Sequence, residues 1–175
     1  MIKYLVLFAG LTAIAASGFA QGPIVLKDSG LKKLAVFVGT WKGENDPDST
    51  GKSAVVAITT CQWSPNGNYL VCDQRVTNQG HTTNNLSIYS RNTDNDGYTL
   101  SLVGIPGMQP FSIPITYKDD ELYYLGSYTD NSGKKIYTRT VNTFLSAASY
   151  TFKVQSSEDG EHWTTSIRGK STKIH

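Results

Sequence analysis

Apolar residues recur at helical spacing once in this chain and at alternate positions almost everywhere else. The helical stretch is DSGLKKLAVFVG, residues 28–39. It has a capping Asp28 or Ser29, then Leu31, Leu34, Ala35 and Val38 on one face, and Gly39 as a stop. After Gly39 the period changes to two. Tyr98, Leu100 and Leu102 oppose Thr99 and Ser101, while Phe111, Ile113, Ile115 and Tyr117 oppose Ser112, Pro114 and Thr116. Tyr150, Phe152 and Val154 oppose Thr151, Lys153 and Gln155, and Trp163, Thr165 and Ile167 oppose Thr164, Ser166 and Arg168. Turn signals punctuate these runs: SPNG at 64–67, DNDG at 94–97, DNSG at 130–133 and SEDG at 157–160.

Runs rich in Val, Ile, Thr and Tyr between such turns suit pleated, half-buried strands. The spacing predicts about ten, near 40–46, 52–63, 69–78, 83–91, 97–103, 111–118, 121–129, 135–144, 149–157 and 161–170. Successive hairpins with no intervening helix imply an antiparallel meander, and a long meander removes its exposed edges by closing on itself. The expected fold is all-β: a single antiparallel up-and-down β-barrel of about 8–10 strands with a short N-terminal helix. A two-sheet β-sandwich is the alternative. The Pro/Gly-rich GIPGMQP, residues 104–110, is expected to form a loop at a barrel mouth.

The N-terminus reads differently. Lys3 precedes an apolar run over 4–16, and Gly18-Phe19-Ala20 places small residues where a signal peptidase cuts. The expected organisation is a signal peptide at 1–20, a linker at 21–26 and one barrel domain at 27–175, exported to the periplasm or secreted. No membrane span is expected to remain after cleavage. Removing 20 of 175 residues leaves 155, enough for one domain with a proper core. Removing Lys3 takes the formal charge from +2 to +1, and no basic run exceeds two residues, so nucleic acid is not an expected partner. Oligomeric state is not legible.

Cys61 and Cys72 flank one hairpin, CQWSPNGNYLVC. A two-residue Asn66-Gly67 turn would set them face to face, within reach of a disulfide. Ser-Pro-Asn-Gly instead suits a type I turn with a bulge, which would set Cys61 opposite Val71 and point the thiols to different faces. Export favours pairing and the turn chemistry opposes it. The balance tips slightly against the bond.

Catalytic and metal-binding patterns are missing. His81, His162 and His175 form no HxH, HExxH or HxxxH pattern, and there is no GxSxG, Walker A or GxGxxG motif. No metal or cofactor is expected. Asp94-Asn95-Asp96-Gly97 lacks the downstream Glu of a calcium loop and reads as a hairpin turn. Glu44 and Glu121 stand too far apart in the strand order for an acid–base pair. The candidates for lining a ligand pocket are Arg75, Tyr89, Arg91, Tyr124, Tyr128, Tyr137 and Arg139, whose guanidinium and phenol groups could orient a polar or carboxylated ligand. Alternation assigns these side chains to faces without saying which face is inside, so the outer face is the plainer reading for them.

LKKLAVFVGTWKGE, followed by the WSPNGNYLV hairpin and the SEDGEHW hairpin, resembles the lipocalin-like, calycin-type domains of bacterial secreted proteins. The resemblance covers about residues 27–170 and extends distantly to lipocalins and nitrobindins. It implies a barrel with an internal pocket. In lipocalins the Gly-x-Trp tryptophan closes one barrel end against an Arg from a late strand. Carried over, Gly39 and Trp41 close the barrel with Arg168 as partner and Arg139 second. Nitrobindins ligate haem through a late His. Only His162 could stand in here, beside a turn and without the rest of that motif, so haem is not expected. The expected function is binding of a small apolar or amphipathic molecule in the barrel. The alternatives are an interaction or structural protein with a filled barrel, and a cavity isomerase or hydrolase drawing on Arg139, Tyr124, Tyr137 and Glu121.

Overall fold

A computed structural model describes residues 24–26, 28–46, 55–92, 97–105 and 107–175. The expected signal segment, residues 21–23 of the expected linker, residues 52–54 of the strand expected at 52–63 and the Asp94–Asp96 part of the DNDG turn lie outside the described residues. The helix, Ser29–Phe37, is a 3₁₀ helix, capped by Asp28, whose carboxylate accepts from the Gly30 N–H at 2.7 Å. Three residues per turn place Leu31, Leu34 and Phe37 in one row, and these are the buried ones. The face expected at a 3.6-residue period, with Ala35 and Val38, is corrected accordingly: Ala35 is exposed, and Phe37 takes the core position.

Ten strands follow: β1 (Gly39–Asn45), β2 (Val56–Trp63), β3 (Leu70–Asn78), β4 (His81–Asn92), β5 (Gly97–Val103), β6 (Phe111–Lys118), β7 (Glu121–Thr129), β8 (Lys135–Ser146), β9 (Ser149–Ser157) and β10 (Thr164–Lys173). Each pairs antiparallel with the next, and β1 pairs with β10, so the meander closes into an up-and-down barrel. Sheet closure satisfies both edges that an open meander would expose. The sandwich alternative is excluded.

The two ends of the barrel are built differently. At one end the 3₁₀ helix packs across the mouth, and Leu31, Leu34 and Phe37 join Leu70, Tyr89, Tyr98, Ile115 and Leu122 in the core. Phe37 meets Tyr89, Phe144 and Tyr150 at ring separations of 5.5–6.0 Å. Tyr98 and Tyr117 donate to the backbone carbonyls of Gly30 and Lys33 at 2.7 and 3.1 Å, so β5 and β6 hold the helix across the mouth. Trp41 is 2% exposed and donates its indole N–H to the Phe37 carbonyl at 2.8 Å. Gly39 turns the chain from helix into β1 at φ +114°, where a Cβ would meet the His175 carbonyl oxygen at 2.5 Å. Leu26, within the expected linker, also packs against this core.

Two sequence expectations about register are corrected. Cys61 lies directly opposite Cys72, and the two form a disulfide, with Cα atoms 4.0 Å apart. The type I turn is present, with the Gly67 N–H donating to Ser64 O at 2.9 Å and Gly67 at φ +69°. Asn68 then adds a fourth loop residue, so Ser64 faces Tyr69 and the Ser64 N–H donates to its carbonyl at 2.8 Å. An even-numbered loop removes the bulge. The second correction concerns β10, whose strict alternation breaks between Thr165 and Ile167. Ser166 is the extra residue of a bulge, so Trp163 and Thr165 share the outer face while Gly169 and Ser171 turn inward and are buried.

Opposite the β1–β10 seam, the wall comes apart. The β6–β7 ladder has only four pairs, from Lys118–Glu121 to Ile115–Tyr124, although both strands continue. Pro114 explains where it stops. The two-residue Asp119-Asp120 turn makes Lys118–Glu121 a hydrogen-bonded pair, and such pairs alternate with non-bonded ones. Thr116–Tyr123 is then the next bonded pair, and Pro114–Leu125 would be the one after. Pro114 has no N–H to donate. Beyond this point β6 stays on β5, with Pro114 opposite Thr99, and β7 stays on β8, with Leu125 opposite Arg139.

Candidate functional site

The β6–β7 separation opens into a cavity of about 920 Å³. Its lining includes the inward residues Leu102, Phe111, Ile113, Tyr124, Thr138 and Thr140 together with the outward Ser112, Pro114 and Leu125. Both faces of β6 and β7 can line one cavity only where the cavity passes through the wall. Gly126 lies at this opening: a Cβ there would sit 3.0 Å from Thr138 Oγ1 and 3.8 Å from Ile113 Cγ2. Met108, in the loop expected at the mouth, borders the opening and is exposed, as are Leu125 and Tyr128. A second interior space of about 270 Å³ lies against β1–β3 and β8–β10, lined by Thr59, Gln74, Asn142, Tyr150, Phe152 and Ser171 among others.

Two polar groupings face the interior. Tyr89 and Tyr124 approach hydroxyl to hydroxyl at 3.4 Å, and Asn142 Nδ2 donates to the Tyr124 hydroxyl at 3.3 Å. Burial raises both phenols well above their usual range, because phenolate would lose its hydration without gaining a cation. They are neutral hydrogen-bonding groups. The second grouping is a ladder across β2, β3 and β4: Gln74 Nε2 donates to Thr59 Oγ1 at 3.0 Å, and Asn85 Nδ2 donates to Gln74 Oε1 at 3.2 Å. Asn85 Oδ1 is buried and has no hydrogen-bond partner among the described residues.

The seven sequence candidates scatter. Tyr89 and Tyr124 come together inside, and Tyr128 stands 55% exposed at the lip of the opening. Tyr137 borders the same cavity from the outer-facing set of β8, under the Lys135 ammonium at 4.7 Å. Arg75 is exposed in an outer groove with Ile58, Thr60, Asp73 and Asn84, so its place in an internal pocket is corrected. Arg139 is likewise outside, stacked 4.0 Å over the Trp163 ring, with its Nε donating to Gln155 Oε1 at 2.7 Å. Arg91 points inward but serves the plugged end: it lies 3.6 Å from the Asp28 carboxylate and 5.1 Å over the Tyr98 ring.

The barrel-closing group is also revised. The cation over Trp41 is Lys173, 5.6 Å from the ring centre, and Tyr150 packs beside it at 5.2 Å. Register is the reason, since Trp41 pairs with Lys173 across the β1–β10 seam. Arg168 is exposed at the far end of that seam, where its carbonyl accepts from the Asp46 N–H at 2.8 Å. His162 is exposed in the turn before β10, bonded to Asp159 at 2.7 Å. Glu121 sits on the outer face, where Tyr123 and Thr143 donate to its carboxylate and hold its pKa down. Arg139, Tyr124, Tyr137 and Glu121 therefore do not converge on one reaction centre.

Sequence reasoning missed Pro114, Gln74, Asn85 and Asn142. The signal for Pro114 was present: a proline inside a cleanly alternating run marks a place where a strand has no neighbour on one side. The amides could be placed only after one residue on each strand was known to face inward.

Together these features define a closed, ten-stranded antiparallel barrel with one end plugged by a helix and one side opened by a proline. No protein-family model matches the chain, and no curated protein matches it either. Its architecture is consistent with a lipocalin-like barrel fold.

Proposed function

We propose that the barrel binds a small apolar or amphipathic molecule, admitted through the β6–β7 opening, and that it does so outside the cytoplasm. The observation that carries this reading is the cavity of about 920 Å³ passing through the wall, with an apolar lining of Leu102, Phe111 and Ile113 and a polar base at Tyr124. Binding sites for small molecules combine these features: concavity, apolar walls and a few fixed polar groups. The Cys61–Cys72 disulfide supports the export reading, since such bonds persist in oxidising compartments. Titration with the neutral solvatochromic dye Nile red tests binding. Saturable, blue-shifted fluorescence is expected from the wild-type protein. Thr140→Phe, which places a ring in the cavity beside Tyr124, should weaken it while leaving the circular dichroism spectrum unchanged. Absence of saturable binding to the folded wild-type protein sinks the proposal.

A second reading has its own observation. Val103, Met108, Leu125 and Tyr128 are exposed large apolar side chains on or beside the strands and loop at the opening. Such a rim also suits contact with another macromolecule. A ligand-free protein that self-associates or captures a partner, and loses this on Met108→Ser with Tyr128→Ser, would favour it.

A further inference from the structure

The lining of the interior carries information about the ligand's head group. Among the described residues, neither the cavity at the β6–β7 opening nor the smaller space against β1–β3 and β8–β10 has a Lys, Arg, His, Asp or Glu in its lining. Among the described residues, Arg91 and Lys173 point inward, and both are at the plugged end, against Asp28 and Trp41. What the linings offer instead is amides and hydroxyls, Gln74 and Asn142 with Thr59, Tyr124 and Ser171, and Asn85 is bonded to Gln74 beside them. An ionised head entering this space would lose its hydration and gain no counter-charge, which is strongly unfavourable.

The amide ladder is also incomplete in a directional way. Asn85 gives its N–H to Gln74, and Gln74 gives its own to Thr59, so both donations run away from Asn85. The remaining group, Asn85 Oδ1, is an acceptor, is buried, and has no partner among the described residues. Buried acceptors are nearly always satisfied, and a ligand N–H or O–H would satisfy this one. Asn85 lies across from Gln74 in the β3–β4 ladder, and the adjacent Leu86 pairs with Val103, next to Leu102 of the apolar cavity.

We infer that the ligand is an uncharged apolar molecule whose hydroxyl or amide head donates a hydrogen bond to Asn85 Oδ1, with its apolar body against Leu102, Phe111 and Ile113. This rests on the proposed binding function and assigns its chemical class. It replaces the candidate role that the sequence offered, in which Arg and Tyr side chains could orient a polar or carboxylated ligand. Tyr124 and Asn142 supply a second donor–acceptor pair for a head bearing more than one polar atom.

Displacement of Nile red by a matched series with one tail tests it: 1-dodecanol, dodecanamide, dodecanoate and dodecylammonium at neutral pH. The alcohol and the amide are expected to displace the dye at concentrations roughly ten-fold lower than either ion, as loss of one well-made buried hydrogen bond or its replacement by an uncompensated charge would give. Asn85→Leu should remove most of the alcohol's advantage over n-dodecane. Dodecanoate binding as tightly as dodecanol overturns the head-group assignment and leaves the binding function standing. Failure of Nile red itself to bind overturns both. Dodecanol preferred by wild type and equally by Asn85→Leu overturns the role of Asn85. The wild-type series decides the head-group class even if that variant does not fold.

Discussion

The plugged end and the β6–β7 side use the same kinds of residue for opposite ends. At the plugged end, Tyr98, Tyr117 and Trp41 each donate to a helix carbonyl, and Arg91 meets the carboxylate that caps the helix. Each of these four polar groups has a backbone or charged partner on the helix or its cap, so Tyr98, Tyr117 and Trp41 are fasteners. Around the opening, Tyr124 meets another phenol and an amide, the wall lacks a ladder beyond Ile115, and apolar side chains stand in solvent. The difference teaches that residue type alone does not mark a site in this barrel. What separates the two regions is whether the polar atoms and strand edges are already satisfied.

That contrast can be broken in four ways. The largest effect should come from alkali. Burial raises the pKa values of Tyr89, Tyr124, Tyr150 and Tyr117 in the folded protein above the unfolded value near 10. Folding therefore favours their protonated forms. The associated stability is complete below pH 10 and is lost as pH rises through the folded values. Phenolate absorbance from these four should appear only together with the loss of near-UV circular dichroism. Ionisation of these four tyrosines while the fold persists would show that the core phenols are not sealed.

Trp41→Ala comes next, with an expected loss of about 3–5 kcal/mol in denaturant unfolding, as for other large core truncations. If its stability stays near wild type while dye binding disappears, the plugged end is part of the site and the comparison fails. Replacing Cys61 and Cys72 together by alanine should cost about 3 kcal/mol, the loop-closure value for a link spanning roughly a dozen residues, with dye affinity retained. Thermal unfolding with and without reductant checks the same point in the native chain.

The smallest stability effect should be the most informative about the opening. Pro114→Thr supplies the N–H missing from the pair with Leu125, and one added hydrogen bond contributes only about 1 kcal/mol. Amide exchange at residue 125 should slow, and Nile red should enter more slowly or bind more weakly. Unchanged exchange would mean that the separation is imposed by packing along β5–β8 rather than by the proline.

Much of the barrel was legible because turn signals and period-two runs are local. β5, β6, β7 and β9 fall on the predicted residues, as DNSG and SEDG mark their neighbouring turns and each strand lacks a competing helical pattern. The β10 face and the Cys61–Cys72 register were misjudged, because both depend on a single residue, Ser166 in one case and Asn68 in the other. One residue more or less flips every side chain beyond it. The site was less legible still. Arg75 and Arg139 were as credible as Tyr89 and Tyr124 from the pattern, and only the barrel's curvature decides which of the two faces of a strand is enclosed.

The chain by itself determined an all-β meander, the helix that precedes it, the Gly39–Trp41 junction and the proline that cannot join a ladder. These are consequences of backbone chemistry within a few residues. Tertiary structure decided that the meander closes, that Lys173 rather than Arg168 covers Trp41, and that the interior holds amides and phenols while Arg75 and Arg139 face out. Those outcomes depend on register summed around ten strands, where each hairpin's loop length adds to the last, and no local stretch of sequence contains that sum.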